Sequence, residues 1–284
     1  MKKIISLATV CLAVAAMVGF TGCKPAKKQI GLQLYSVAQD MSNVEASIQK
    51  VAEAGYNVVE TLGGDPGCFG MDPASFKALC DKYGISIIST HASIGLDPND
   101  EEGTMNKWRK LFEALNVMGA KYCVIPGYGL GSNLQELQGV CDYFNKVGKL
   151  AKEYGLLLGY HNHSHEFRKV EDQAVMLEYM LEHTDPENVF FQLDVYWAVM
   201  GQASPVDLFR KYPGRFRMLH IKDRREIGQS GMVGFDAIFR NAELAGVEQI
   251  VVEQEESEYD IEKGVEMSLD YLLEAPFVKA SYEK

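Results

Sequence analysis

From Gln29 onward the chain alternates short apolar runs with longer stretches in which apolar residues recur every three or four positions. Eight short runs read as strands: residues 30–36, 57–62, 85–91, 122–126, 156–163, 189–194, 216–222 and 249–253. Helical spacing fills the intervals. Val44, Ile48, Val51 and Ala52 share one helix face, and Gly55 ends that helix. Residues 72–83 open on Asp-Pro, a helix start, and stop at Gly84. Trp108, Leu111, Phe112, Leu115 and Met118 form a third stripe, closed by Gly119, and further helices are predicted over 133–154, 172–183, 205–212, 235–245 and 261–273. Eight strand–helix units, with no linker long enough to divide them, predict a single closed (β/α)8 TIM barrel over residues 29–284, a fold that typically takes about 250 residues. A doubly wound sheet would need an edge and a switch point, which eight even repeats do not suggest.

In such a barrel the chemistry sits at the C-terminal ends of the strands. Strand three ends in His91, strand five in His161-Asn162-His163-Ser164-His165-Glu166, strand six in Asp194, strand seven in His220-Ile221-Lys222, and strand eight in Glu253. Of the six histidines only His183 falls in a helix. Taken singly, Asp194 reads equally well as a helix cap, His220 as a hydrogen-bonded core histidine and Glu253 as half of an ion pair. Together, two carboxylates and an imidazole on consecutive strands make a converging oxygen and nitrogen ligand set. Such a set suits one divalent ion (Mn, Co, Mg or Zn), with a fourth ligand expected from strand five.

The run Tyr160-His161-Asn162-His163-x-x-Glu166-Phe167, the run Leu193-Asp194-Val195-Tyr196-Trp197 and the run Met218-Leu219-His220-Ile221-Lys222-Asp223 resemble the xylose isomerase-like barrels of the sugar phosphate isomerase/epimerase type. The resemblance implies a metal held by Glu166, Asp194, His220 and Glu253, with Glu166 and Glu253 also serving as acid and base on opposite sides of a sugar. It further implies substrate contacts from Lys222 and His163, and a pocket lined by His91, His161 and Trp197. Strand alternation puts His161, His163 and His165 on one face and Glu166 on the other, so His163 stands as the alternative strand-five ligand. The chain departs from ketose 3-epimerases of this superfamily, which place a histidine where Trp197 stands and an arginine to which Arg224 and Arg225 only loosely correspond. It also lacks the Asp-x-His pair of the trinuclear-zinc endonucleases.

Composition narrows the field. With 47% hydrophobic and 24% charged residues the chain is globular, and a net charge of −11 repels polyanions, which disfavours nucleic acid as a partner. The amino terminus has the form of a signal peptide: a basic start, an apolar run over 4–20, and Thr21-Gly22-Cys23, which resembles a bacterial lipobox. This predicts removal of residues 1–22, lipidation of Cys23, a tether over 23–28, and an exported protein held to a bacterial membrane by lipid alone, on the periplasmic side. Cys68, Cys80, Cys123 and Cys141 show no metal-binding spacing and read as buried free thiols. The glycine-rich stretches 126–132 and 228–234 read as an active-site loop and a lid; Ser132 breaks a GxGxxG pattern in the first.

The expected function is a metal-dependent sugar isomerase or epimerase that removes a proton next to the carbonyl of a non-phosphorylated sugar or keto-sugar. The same step leads alternatively to a lyase, dehydratase or hydrolase of oxidised (3-keto) glycosides or inososes. A non-catalytic sugar-binding lipoprotein is the reading from another class.

Overall fold

The computed structural model describes residues 28–63 and 68–282; the signal segment 1–22, Cys23 and residues 24–27 of the expected tether lie outside the described residues. Eight parallel strands close a barrel: β1 (Gly31–Gln33), β2 (Val58–Leu62), β3 (Ser86–His91), β4 (Tyr122–Ile125), β5 (Leu157–His161), β6 (Val189–Asp194), β7 (Met218–Ile221) and β8 (Gln249–Val252). Each pairs with its neighbours in chain order, and β8 returns to β1 through Gly31 opposite Val251. The helices are α1 (Val44–Glu53), α2 (Pro73–Lys82), α3 (Glu101–Met118), α4 (Leu134–Glu153), α5 (Met176–His183), α6 (Val195–Met200), α7 (Pro205–Lys211), α8 (Phe235–Arg240), α9 (Ala242–Ala245) and α10 (Ile261–Glu274).

Two separate apolar cores hold the fold. The larger lies between strands and helices; the smaller fills the lower barrel with Ile88, Tyr122, Val124, Phe190, Met218 and Val251, flanked by Val58 and Leu157. Two residues further along the strands the inward positions turn polar, with Gln33, Glu60, Ser89, Gln192 and His220 all buried. A register shift makes this layer fit together. Val59 pairs with Ile87, but Glu60 pairs with Ser89, so Ile88 is the extra residue of a bulge. Beyond it, Ser89 and His91 face inward; without it their parity would reverse and His91 would point at the helices.

Several boundaries differ from the sequence expectation for local reasons. Strand β1 stops at Gln33, whose side chain accepts from the Tyr35 amide and turns the chain into a 3-10 segment, Leu34–Asn43. Helix α5 begins at Met176 rather than near residue 172: Lys169–Val170 pairs with Ala174–Val175 in a small hairpin, whose turn places Glu171 and Asp172 at φ of 50° and 55°. The predicted helix 235–245 is broken at Asn241. The four described cysteines are buried and form no disulfide among the described residues, as expected. Lys28 is fastened: its ammonium donates to the Leu272 and Ala275 carbonyls at the C-terminal end of α10, at 2.9 and 2.7 Å. No described helix is long and apolar enough to cross a membrane.

Two glycines of α4 give opposite predictions. A Cβ on Gly148 would lie 2.3 Å from the Asn188 carbonyl oxygen, whereas one on Gly139 meets nothing within 4 Å. Gly148→Ala is expected to cost about 1–3 kcal/mol and to lower the thermal midpoint by several degrees. Gly139→Ala in the same helix should raise stability by up to about 1 kcal/mol. Calorimetry of the two variants beside the parent chain checks both signs.

Candidate metal centre

His161, Asp194, His220 and Glu253, at or just past the ends of β5, β6, β7 and β8, are buried and each offers one ligand atom, these atoms all lying within 4.8 Å of one another. Alternation aims them: His161 follows Gly159 and Leu157, Asp194 follows Gln192, His220 follows Met218, and Glu253 follows Val251 on the inward face.

Asp194 divides its oxygens between two tasks. Oδ1 accepts from the Trp197 amide at 2.8 Å and caps α6, while Oδ2 is buried without a hydrogen-bond partner among the described residues. Burial, with the Glu253 carboxylate adding to it, pushes the carboxyl up to about 7. An unmatched buried acceptor costs on the order of 1–3 kcal/mol, a penalty that a cation in the cluster removes. The four donors therefore fit a divalent ion on their own chemistry.

The two imidazoles are oriented from behind. Gln192 donates its Nε2 to Glu60 Oε2 at 2.9 Å, so its Oε1 is the acceptor for His161 Nδ1 at 3.1 Å. His161 thus carries its proton on Nδ1 and presents a bare Nε2, and burial beside His220 and His91 holds its pKa well below the usual histidine range. His220 places Nε2 2.6 Å from Glu60 Oε1 and Nδ1 3.2 Å from Glu253 Oε2. Burial opposes charge on this ring, but Glu60 and Glu253 outweigh it and push His220 up to about 10. Burial likewise works against ionisation of Glu253, yet His220 and Lys222 hold it well below the usual carboxylate range.

Glu166 is not among the four residues whose ligand atoms converge, and His161 stands in the strand-five place expected of it. It sits on a 3-10 turn, His165–Phe167, where Oε1 accepts from the Tyr160 hydroxyl at 2.8 Å and Oε2 from the His163 amide at 2.9 Å. Each oxygen thus helps to close the chain after β5. That strand ends at His161, so the alternation that counted against Glu166 selects His161 instead of His163. His163 is half-buried, its ring 5.9 Å from Trp197. Lys222 is buried, with Nζ 3.1 Å from Glu255, 3.8 Å from Glu253 and 5.7 Å from the Trp197 ring centre.

A cavity of about 620 Å³ opens above the cluster. Its lining combines His91, His161, His163 and Glu253 with Leu62, Ile94, Leu111 and Pro126, and includes Lys107 and Lys110 of α3. Lys222 stands beside Glu253, and Trp197 packs near Lys222 and His163. Sequence reading missed Glu60, Gln192 and Asn162. A glutamate inside the apolar run Val58-Val59-Glu60-Thr61-Leu62 was the available signal for the first, and two-residue spacing from Asp194 for the second. Asn162 is legible only in three dimensions, where its side-chain Oδ1 accepts from the Asp194 backbone amide at 3.1 Å.

Residues 48–275 match the family model described as xylose isomerase-like TIM barrel. An inosose dehydratase from Geobacillus kaustophilus (strain HTA426) is 28% identical over 196 residues, which is 63% of this chain and 61% of that enzyme's own length. The crystal structure of a sugar phosphate isomerase/epimerase from Parabacteroides distasonis ATCC 8503 is 34% identical, with a TM-score of 0.84 covering 94% of this chain and 100% of that one. The IOLI protein, solved with a binding zinc atom, shares the fold at 13% identity, with a TM-score of 0.67 over 85% of this chain and 95% of its own.

The placement of strand five is directly testable. His161→Ala is expected to weaken divalent-ion binding at least tenfold, whereas Glu166→Gln should stay within about threefold of the parent. Metal content by mass spectrometry after dialysis against a graded chelator reads both.

Proposed function

Because the chain belongs to the xylose isomerase-like TIM barrel family, we propose that this sugar-acting enzyme is a metal-dependent dehydratase or lyase working on a non-phosphorylated keto-sugar, inosose or oxidised glycoside. The observation that carries the reading is the withdrawal of Glu166, which leaves Glu253 as the one glutamate at the cluster. Moving a proton between opposite faces of a sugar, as an epimerase of this design does, calls for a group on each face. Elimination calls for one base and an acid beside the leaving oxygen.

A divalent ion held by His161, Asp194, His220 and Glu253 would supply Lewis-acid polarisation of the carbonyl. The imidazole pair tilts the choice towards Zn, Co or Mn over Mg. Glu253, ionised on the cavity wall, takes the proton next to the carbonyl. His163, half-buried on the same wall, donates to the departing hydroxyl or aglycone oxygen. Lys222 keeps Glu253 charged, and His91 orients the ring by hydrogen bonding. The cluster of carboxylates at the floor disfavours a phosphate there, which supports a neutral substrate ring.

Isomerisation or epimerisation shares the first step, and the name carried by the 34% identical Parabacteroides structure keeps it as the second reading. Export with lipidation at Cys23, on the periplasmic side of a bacterial membrane, completes the proposal. It is supported by the Thr21-Gly22-Cys23 signature, and labelling with radioactive palmitate should be lost in Cys23→Ala.

Proton NMR of keto-sugars and inososes in D2O separates the outcomes. An unsaturated product or a released aglycone is expected; deuterium at an inverted carbon with no loss of a substituent would favour epimerisation. Glu253→Gln should lower turnover by about 10²–10⁴.

A further inference from the structure

We infer that Glu60 is the positioning residue of the metal centre, fixing the nitrogen that each histidine ligand presents: His220 directly, and His161 through Gln192. This rests on the metal site proposed above and adds a residue that neither lines the cavity nor belongs to the four ligands.

Every described polar neighbour of this buried carboxylate is a donor. Oε1 receives Gln33 Nε2 at 2.8 Å and His220 Nε2 at 2.6 Å, and His91 Nε2 lies 3.0 Å from it. Oε2 receives the Ser89 hydroxyl and Gln192 Nε2, the latter at 2.9 Å from across the barrel on β6. With Gln33, His220, Ser89 and Gln192 all donating to its two oxygens, Glu60 is left only acceptor roles, so its neighbours have no choice of role. His220 must carry hydrogen on Nε2, which turns Nδ1 to the cluster. Gln192 must point its NH2 at Glu60, which leaves Oε1 to accept from His91 Nε2 at 2.8 Å and from His161 Nδ1 at 3.1 Å. The two ligand imidazoles are thereby locked in opposite senses, His220 offering Nδ1 and His161 offering Nε2. A buried ion costs several kcal/mol unless fully satisfied, and an apolar side chain would fill the same space without that cost. The arrangement is explained by what it does to the histidines.

The test uses the full chain, Zn²⁺ and Co²⁺, and three measurements. Competition with a chromophoric chelator should show Glu60→Gln binding either ion 10–100-fold more weakly than the parent. The thermal midpoint of the metal-free variant should stay within a few degrees of the parent. Nitrogen-15 NMR of the histidines should show His161 as a single Nδ1–H tautomer in the parent and as a mixture in the variant. Affinity within twofold together with an unchanged tautomer overturns the inference while leaving the metal site standing; a parent that binds neither ion overturns both. Should Glu60→Gln fail to fold, Gln192→Met breaks only the His161 limb. Weaker binding with a mixed His161 tautomer is again expected, and unchanged values overturn the inference.

Discussion

Closure of eight parallel strands is the constraint on which the rest of this structure depends. With no free edge and a period of two along every strand, alternate side chains are forced into a space too narrow for water to fill. Whatever stands at those positions must either pack or be hydrogen-bonded. The chain does both in sequence. Ile88, Tyr122, Phe190, Met218 and Val251 plug the lower half, a layer of amides, a hydroxyl, a carboxylate and the His220 ring follows, and the other three candidate ligands stand at or just past the strand ends. The site is therefore rooted in the polar layer through His220 and takes its geometry from it.

The strand ends that matter most were readable in the chain. Asp194, His220 and Glu253 stand out because a polar residue closes an apolar run on three successive strands, and the barrel makes successive strands neighbours. The eight-unit alternation was legible for the same reason: period two and period 3.6 are properties of sequence. What escaped depends on local events that carry no period. The bulge at Ile88 inverts parity halfway along β3, so His91 reaches the interior by a route that regular alternation does not foresee. Glu166 belongs to a run that resembles a family motif, yet its carboxylate is captured by Tyr160 and by the His163 amide, contacts set by how the chain turns after β5. Glu60 was passed over because a lone acid in the second strand lies far in sequence from every partner that gives it meaning.

Asp194 shows why the plain and the chemical readings of a residue need not compete. A cap and a ligand were alternatives in the sequence; in the structure one oxygen starts α6 and the other faces the cluster. Helix α6 and the indole of Trp197 therefore begin on a side chain whose second oxygen is free for a cation. Occupancy of the centre and the order of that helix share one carboxylate.

The clasp of Lys28 on the end of α10 has a consequence for how the molecule faces its surroundings. The clasp lies on the face where the strands begin, opposite the mouth that holds the cavity. One ammonium thus ties the start of the described chain to its last helix, sealing the seam where the barrel's first and last units meet. The molecule is buckled at one end and open at the other, so the amino-terminal side can bear strain without passing it directly to the pocket.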